Sequence, residues 1–145
     1  MPIRRKTPDS SINQYLERKA QMLHYAMLNS LIYVGEAAVN EARERGRYKD
    51  RTGNLRSSVG YCIVDDGRIV NEGSFKVVAG GQKGAKEGRD FLRRLVAEHP
   101  SGLVLIVVAG MEYAAYVEAK NLNVLDSAEQ MAEREIPKLL EALKI

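Results

Sequence analysis

The sequence contains one cysteine, no tryptophan and two histidines in 145 residues. A single cysteine excludes a disulfide within the chain and is typical of a reducing compartment. Neither His24 nor His99 belongs to a set of cysteines, histidines and carboxylates at zinc-ligand spacing, so we expect no metal and no cofactor. Cys62 lies between apolar residues, which favours a small buried side chain over a nucleophile.

Long apolar runs are also missing. The longest run, residues 103–110, has the length of a strand and is too short to span a bilayer. The N-terminal segment MPIRRKTPDSS is basic but has no apolar run behind it, which predicts no secretory signal. We therefore expect a soluble intracellular protein with no membrane partner.

Motifs for catalysis are scarce as well. The glycine-rich stretch AGGQKGAKEG, residues 79–88, fits neither the Walker A pattern nor Gly-x-Gly-x-x-Gly, and we expect a mobile loop there. No Gly-x-Ser-x-Gly elbow occurs. Glu112 and Glu118 are six residues apart on a segment that looks helical, so they would face away from each other. The sequence predicts no enzyme and no small-molecule substrate.

The charges that are present are unevenly placed. Residues 1–58 hold 11 basic and six acidic side chains, whereas residues 59–145 hold 11 and 13. Seven tyrosines against two phenylalanines add rings with a polar tip, which suit partly exposed positions and interfaces. Such a dipolar body favours stacking of copies, or one face turned towards a polyanion.

Apolar periodicity predicts a single α+β domain over residues 11–145, behind a flexible basic arm at residues 1–10. Ser11 and Gln14 have capping-box spacing, and Gly46 marks the end of a long helix. The apolar residues of this helix form a stripe along one side, and the stripe is wide enough that the helix should pack against more than one sheet. Its positions are Ile12, Leu16, Ala20, Leu23, Met27, Leu31, Val34, Ala38 and Ala42.

The remaining chain predicts a small, mainly antiparallel sheet of three to four strands and a C-terminal helix. Strands are expected at residues 59–64, 69–78 and 103–108, with Asp66-Gly67 as a hairpin turn between the first two. The last strand is apolar throughout, so it should be central, covered by the long helix and by the C-terminal part or a neighbouring subunit. Helical segments are expected at 89–98, at 111–118 and after Ser127, with a kink at Pro137.

Residues 43–61 form a basic turn between the long helix and the first strand. Three interpretations stay open: a solvated connection, contact with nucleic acid, or docking onto an acidic rim of another protein. The basic residues that would contact DNA or a partner are Arg43, Arg45, Arg47, Lys49 and Arg51.

Two segments together resemble a known family. YKDRTGNLRSSV, residues 48–59, and VVAGMEYAAYVE, residues 107–118, resemble a D-x-T-G-x-L-R-x-S-I turn and a G-x-x-Y-A-x-Y-x-E segment. These features, behind a long N-terminal helix, are found in the small tail-component proteins of long-tailed phages and prophages, which act in head–tail joining and tail completion. The resemblance covers most of the chain from about Ser11 to the last helix.

The resemblance implies a non-catalytic virion protein that forms a homo-oligomeric ring at the head–tail junction or the head-proximal tail end. Its partners would be further copies of itself, connector or adaptor and tail-tube proteins, and packaged DNA without sequence preference. It would be located in the virion neck or tail, and in the host cytoplasm during assembly. An alternative is a small nucleic-acid-binding module that uses residues 43–56.

The resemblance also implies roles for two groups of residues. The turn motif comprises Asp50, Thr52, Gly53, Asn54, Leu55, Arg56 and Ser58. The expected subunit interface comprises Tyr113, Tyr116 and Glu118.

Overall fold

The computed structural model describes residues 8–45, 57–74, 81–110, 113–123 and 125–143. Within these residues, seven helices and strands follow in the order α-β-β-α-β-β-α, with a short 3-10 helix before the last helix. They are α1 (Asp9–Arg45), β1 (Gly60–Asp65), β2 (Arg68–Ser74), α2 (Gln82–Val96), β3 (Leu103–Ala109), β4 (Tyr113–Glu118), the 3-10 helix (Ala119–Asn121) and α3 (Ala128–Ala142). The expected fold class, a long helix and a C-terminal helix on a small antiparallel sheet, is confirmed.

The four strands form one sheet in the order β2-β1-β3-β4, and every neighbouring pair is antiparallel. β1 and β2 are joined at Asp66 and Gly67, whose φ angles are 48° and 83°. An Asp-Gly pair accepts positive φ at low cost, so the predicted hairpin turn is confirmed. The return strand begins one residue earlier than expected, and residues 75–78 of the expected strand lie outside the described residues.

β3 is buried along its whole length and occupies an inner position of the sheet, as its sequence predicts. Leu105 and Val107 belong to the apolar cluster that includes residues of α1 and α3. Val104 and Ile106 belong to a second cluster, which includes residues of α2. The expectation that the C-terminal part or another subunit covers the second face is therefore wrong, because α2 covers it and α3 packs on the same face as α1.

α2 occupies most of the stretch expected to be a mobile glycine loop, and that expectation is wrong for residues 82–88. Gly84, Gly88 and Leu92 repeat every fourth residue and are all buried, together with Ala85. Glycine costs about 1 kcal/mol relative to alanine inside a helix. Ala85 and Leu92 pack with residues of β1 and β3 on the second face of the sheet, and this packing outweighs the unfavourable propensity.

β4 corrects a second expectation, because residues 113–118 form a strand instead of a helical turn. Ala115 and Val117 alternate inward and pair with Val107 and Leu105 of β3. Gly110, with a φ of 74°, lies at the end of β3. Hydrogen bonding to the buried β3 decides the conformation of this short segment, whose tyrosines and valine also fit a pleated surface.

The ends of the two outer helices follow local capping. α1 begins at Asp9, two residues before the expected Ser11, with the Ser11 and Ile12 amides donating to the carbonyl of Pro8. Residues 9 and 10 are thus helical and not part of a flexible arm, while residues 1–7 and Gly46 lie outside the described residues. In α3 the capping box between Ser127 and Gln130 is confirmed, and the helix continues past Pro137 to Ala142.

Tyr61 joins α1, β1 and β2 through close packing. A Cβ added to Gly73, its cross-strand partner, would lie 2.3 Å from Tyr61 Cε1, and one added to Gly35 of α1 would lie 2.7 Å from Cδ2. The Tyr61 hydroxyl donates to Glu36 Oε1 at 2.7 Å. Burial, this hydrogen bond and the charge of Glu36 raise the pKa of Tyr61.

We predict that Gly73→Ala destabilises the protein by about 1–3 kcal/mol, because the added methyl overlaps the Tyr61 ring. Without that ring, replacing glycine by alanine at an unstrained position stabilises by about 0.4–1 kcal/mol. Urea unfolding of Gly73→Ala in the wild-type and Tyr61→Val backgrounds measures both effects. An equal cost in the two backgrounds would show that the ring is not the cause.

Candidate functional site

The predicted turn motif is mostly outside the described residues, but its end is anchored in the core. Asp50, Thr52, Gly53, Asn54, Leu55 and Arg56 are not described, whereas Ser57 and Ser58 are buried. Val59, directly before β1, is also fully buried. Ser58, the described end of the motif, therefore lies in the interior of the domain.

Arg43, the first of the predicted basic contacts, is half-buried on α1. Its Nη2 donates to the carbonyl of Val59 at 3.2 Å. This contact joins the end of the long helix to the beginning of β1. The side chain of Arg45, and Arg47, Lys49 and Arg51 as a whole, lie outside the described residues, so the nucleic-acid alternative stays a prediction.

β4 carries the three residues expected at a subunit contact, and it forms one edge of the sheet. Tyr113 and Tyr116 are both exposed, and the ring of Tyr116 lies 4.9 Å from that of His99. Glu118 pairs with Lys120 at 3.0 Å. Strand alternation places Tyr116 and Glu118 on the same face and Tyr113 on the other, so the structure brings only two of them together.

The groups that could support chemistry are few in the described part of the chain. Burial, and to a lesser degree the charge of Glu72, raises the pKa of the Cys62 thiol to about 12. No group of three histidine, cysteine or acidic side chains among the described residues is placed to hold a metal ion. Within the same residues, no helix combines the length and hydrophobicity needed to cross a membrane.

α1 extends well beyond the sheet that it covers. It runs antiparallel to β1, as three side-chain contacts show. Arg43 is hydrogen-bonded to Val59, Glu36 is hydrogen-bonded to Tyr61, and His24 Nε2 lies 2.9 Å from Asp65 Oδ2. β1 ends at Asp65, so the helix N-terminal to His24 has passed the end of the strand. Residues 9–23, which we name the projecting segment, are all exposed except for the half-buried Ile12.

The projecting segment carries an unusual amount of exposed apolar surface. Four of its large side chains, with Tyr25 just beyond, expose between 51% and 66% of their surface. They are Tyr15, Leu16, Met22 and Leu23. Leu16 and Leu23 belong to the stripe that continues into Met27, Leu31 and Val34, which are buried, whereas Tyr15 and Met22 lie on a neighbouring side of the helix. Contiguous apolar surface of this kind marks an interaction site more often than an inert surface.

A second candidate surface is a groove between α1 and α3. Tyr33, Ala37 and Glu41 of α1 line one wall. Of the described residues that line the groove, three are glutamates and none is basic. The α3 residues are Glu129, Ala132, Glu133, Ile136 and Pro137. The groove therefore combines apolar lining with an acidic rim.

Sequence reasoning identified the stripe of α1 but missed the projecting segment as a candidate site. A helix of 37 residues is about 55 Å long, whereas strands of six or seven residues are about 20–23 Å long. That mismatch was a usable signal, because a sheet this short cannot cover the whole stripe.

The chain was compared with known protein families, with curated proteins and with solved structures, and none of the three comparisons finds a match. The candidate site is therefore defined by the described residues and their surfaces alone.

We predict that Arg43→Ala lowers the free energy of unfolding by about 1–2 kcal/mol, because it removes a half-buried hydrogen bond to the Val59 carbonyl. Arg93→Ala, on the exposed side of α2, is the matched control and should change stability by less than about 0.5 kcal/mol. Urea unfolding measures both. Equal, small effects would show that Arg43 does not anchor β1.

We further predict that Cys62 does not react with a thiol reagent in the folded protein at about pH 8, where an ordinary thiol is partly ionised. Its raised pKa keeps the buried thiol neutral. The same protein in urea should react at once with one equivalent, since the chain has a single cysteine. Rapid labelling without denaturant would contradict the buried placement of this side chain.

Proposed function

We propose that this protein is a non-catalytic structural component of a phage or prophage virion. It forms a homo-oligomeric ring at the head–tail junction or at the head-proximal end of the tail. Its partners are further copies of itself, the connector or adaptor and tail-tube proteins, and the DNA that passes through the ring. It is located in the virion neck or tail, and in the host cytoplasm during assembly.

The observation that supports an assembly role is the projecting segment. This 15-residue helical segment exposes the apolar side chains of Tyr15, Leu16, Met22 and Leu23 to water, which is energetically unfavourable. Packing against a second surface would bury them. The phage setting is supported by the resemblance of the two sequence motifs.

The exposed tyrosines of β4 are consistent with the same role. Tyr116 stands on an edge strand beside His99, where a neighbouring chain could reach both rings. Tyrosine is enriched at protein interfaces because it buries a large area with little loss of side-chain entropy. A ring subunit needs two different contact surfaces, and the β4 edge of the sheet offers a surface in addition to the projecting segment.

Deletion of the gene from an inducible prophage tests this proposal. We expect lysates with separate heads and tails, or tails of abnormal length, and a loss of infectious titre. The wild-type gene supplied in trans should restore joined particles, and a gene with an early stop codon is the matched control. Normal tailed, infectious particles in the deletion lysate would contradict the proposal.

A further inference from the structure

One surface of the projecting segment combines basic and apolar side chains. Tyr15, Arg18, Lys19 and Met22 have the spacing i, i+3, i+4 and i+7, so they form one contiguous patch on the helix. The Lys19 Nζ lies 5.6 Å from the centre of the Tyr15 ring. We name these four residues the basic patch.

The groove between α1 and α3 has the complementary properties. Glu129 and Glu133 are exposed on its α3 side, beside the buried Ala132 and Ile136. The two basic residues of α3 are close to other acidic side chains. Arg134 pairs with Asp126 at 2.6 Å, and Lys138 lies 3.9 Å from Glu135. Glu129 and Glu133 therefore have no basic partner among the α3 residues that the structure describes, which favours a basic occupant.

We propose that the basic patch of one copy docks into the groove between α1 and α3 of a second copy. Tyr15 and Met22 then enter the apolar lining, and Arg18 and Lys19 pair with Glu129 and Glu133. This inference rests on the proposed function, because it names the contact through which the copies join.

A second copy is the occupant because the same molecule cannot supply the contact. The patch and the groove both involve α1, with Tyr15 and Met22 on the projecting segment and Tyr33 further along the same unbroken helix. A continuous helix cannot fold back onto its own side, so the patch reaches a groove only between molecules. Each copy then offers one patch and one groove, which are the two different surfaces that successive copies need.

Length also favours a helix as the occupant of the groove. The projecting segment has 15 residues, about 22 Å at 1.5 Å per residue, and the groove follows α1 from Tyr33 to Glu41, about 12 Å. The patch spans eight residues from Tyr15 to Met22, which is close to the same length. The basic and acidic side chains can therefore face each other in one register.

Charge reversal tests this contact without disturbing the core. The patch variant carries Arg18→Glu and Lys19→Glu, and the groove variant carries Glu129→Lys and Glu133→Lys. Sedimentation equilibrium at low ionic strength, where screening is weak, measures self-association of each. We expect wild-type protein to associate, and each variant to associate at least about tenfold more weakly, because like charges then meet.

The combined variant with all four substitutions restores opposite charges and should regain association to within about threefold of wild type. An equimolar mixture of the two separate variants should also associate. Lys86→Glu with Arg93→Glu on the exposed side of α2 is the matched control, because it changes the net charge by the same amount as the patch variant. This control should associate as wild type does.

The outcomes separate this contact from the proposed function. If the patch and groove variants associate as wild type does, or if the combined variant is not restored, the contact is wrong while self-association stands. A wild-type protein that stays monomeric at every concentration also overturns the contact. The particles in the prophage deletion lysate decide the proposed function independently. Thermal unfolding followed by circular dichroism checks that all variants fold, since Glu129 lies in the first turn of α3, where negative charge is favourable.

Discussion

The need to cover β3 on both faces determines the arrangement of the whole domain. All seven residues of β3 are buried, and a strand with no polar face is stable only between two apolar layers. α1 and α3 supply one layer, and α2 supplies the other. Because the chain itself covers both faces of its central strand, surfaces for assembly have to lie elsewhere, at the edges of the sheet and along the helices.

α1 is where this arrangement produces an unused surface. Two hydrogen bonds hold its C-terminal part, one between the Tyr61 hydroxyl and Glu36 and one between Arg43 and the Val59 carbonyl. Nearer its N-terminus, His24 contacts Asp65. The strand ends there, yet the helix and its apolar stripe continue to Asp9. Residues 9–23 extend an anchored helix but gain little packing within the described chain, so a packing partner would add to the stability of this segment. The stability of this segment and its exposed apolar side chains thus both lead us to expect that it packs against a second surface.

The sequence predicted those parts of the fold that local chemistry decides. The Asp66-Gly67 turn, the capping box at Ser127 and the apolar β3 strand all have signals within a few residues, and all are confirmed. The expectations for residues 82–88 and 113–118 were wrong because tertiary packing decides these segments, whereas the helix expected at 89–98 is confirmed as far as Val96. Gly84 and Gly88 lie on the buried side of α2 with Ala85 and Leu92, and β4 gains its hydrogen bonds from β3.

The site was less accessible to sequence reasoning than the fold. Periodicity shows which side of α1 is apolar, but it cannot show how far the sheet extends beneath it. Arg43 is basic in the sequence and half-buried in the fold, so a charge run does not by itself define a contact surface. Glu129 and Glu133 belong to a groove with Tyr33, which lies nearly 100 residues earlier in the chain. No local pattern could bring those residues together.

Hydrogen exchange of the α1 amides at two protein concentrations tests most directly whether the projecting segment needs a partner surface. We expect residues 9–23 to be protected in concentrated protein and to exchange rapidly after roughly hundredfold dilution, when association is lost. The amides of β3 should be equally protected in both samples. Identical protection of residues 9–23 at the two concentrations would contradict the central claim, because the segment would then be stable without a second surface.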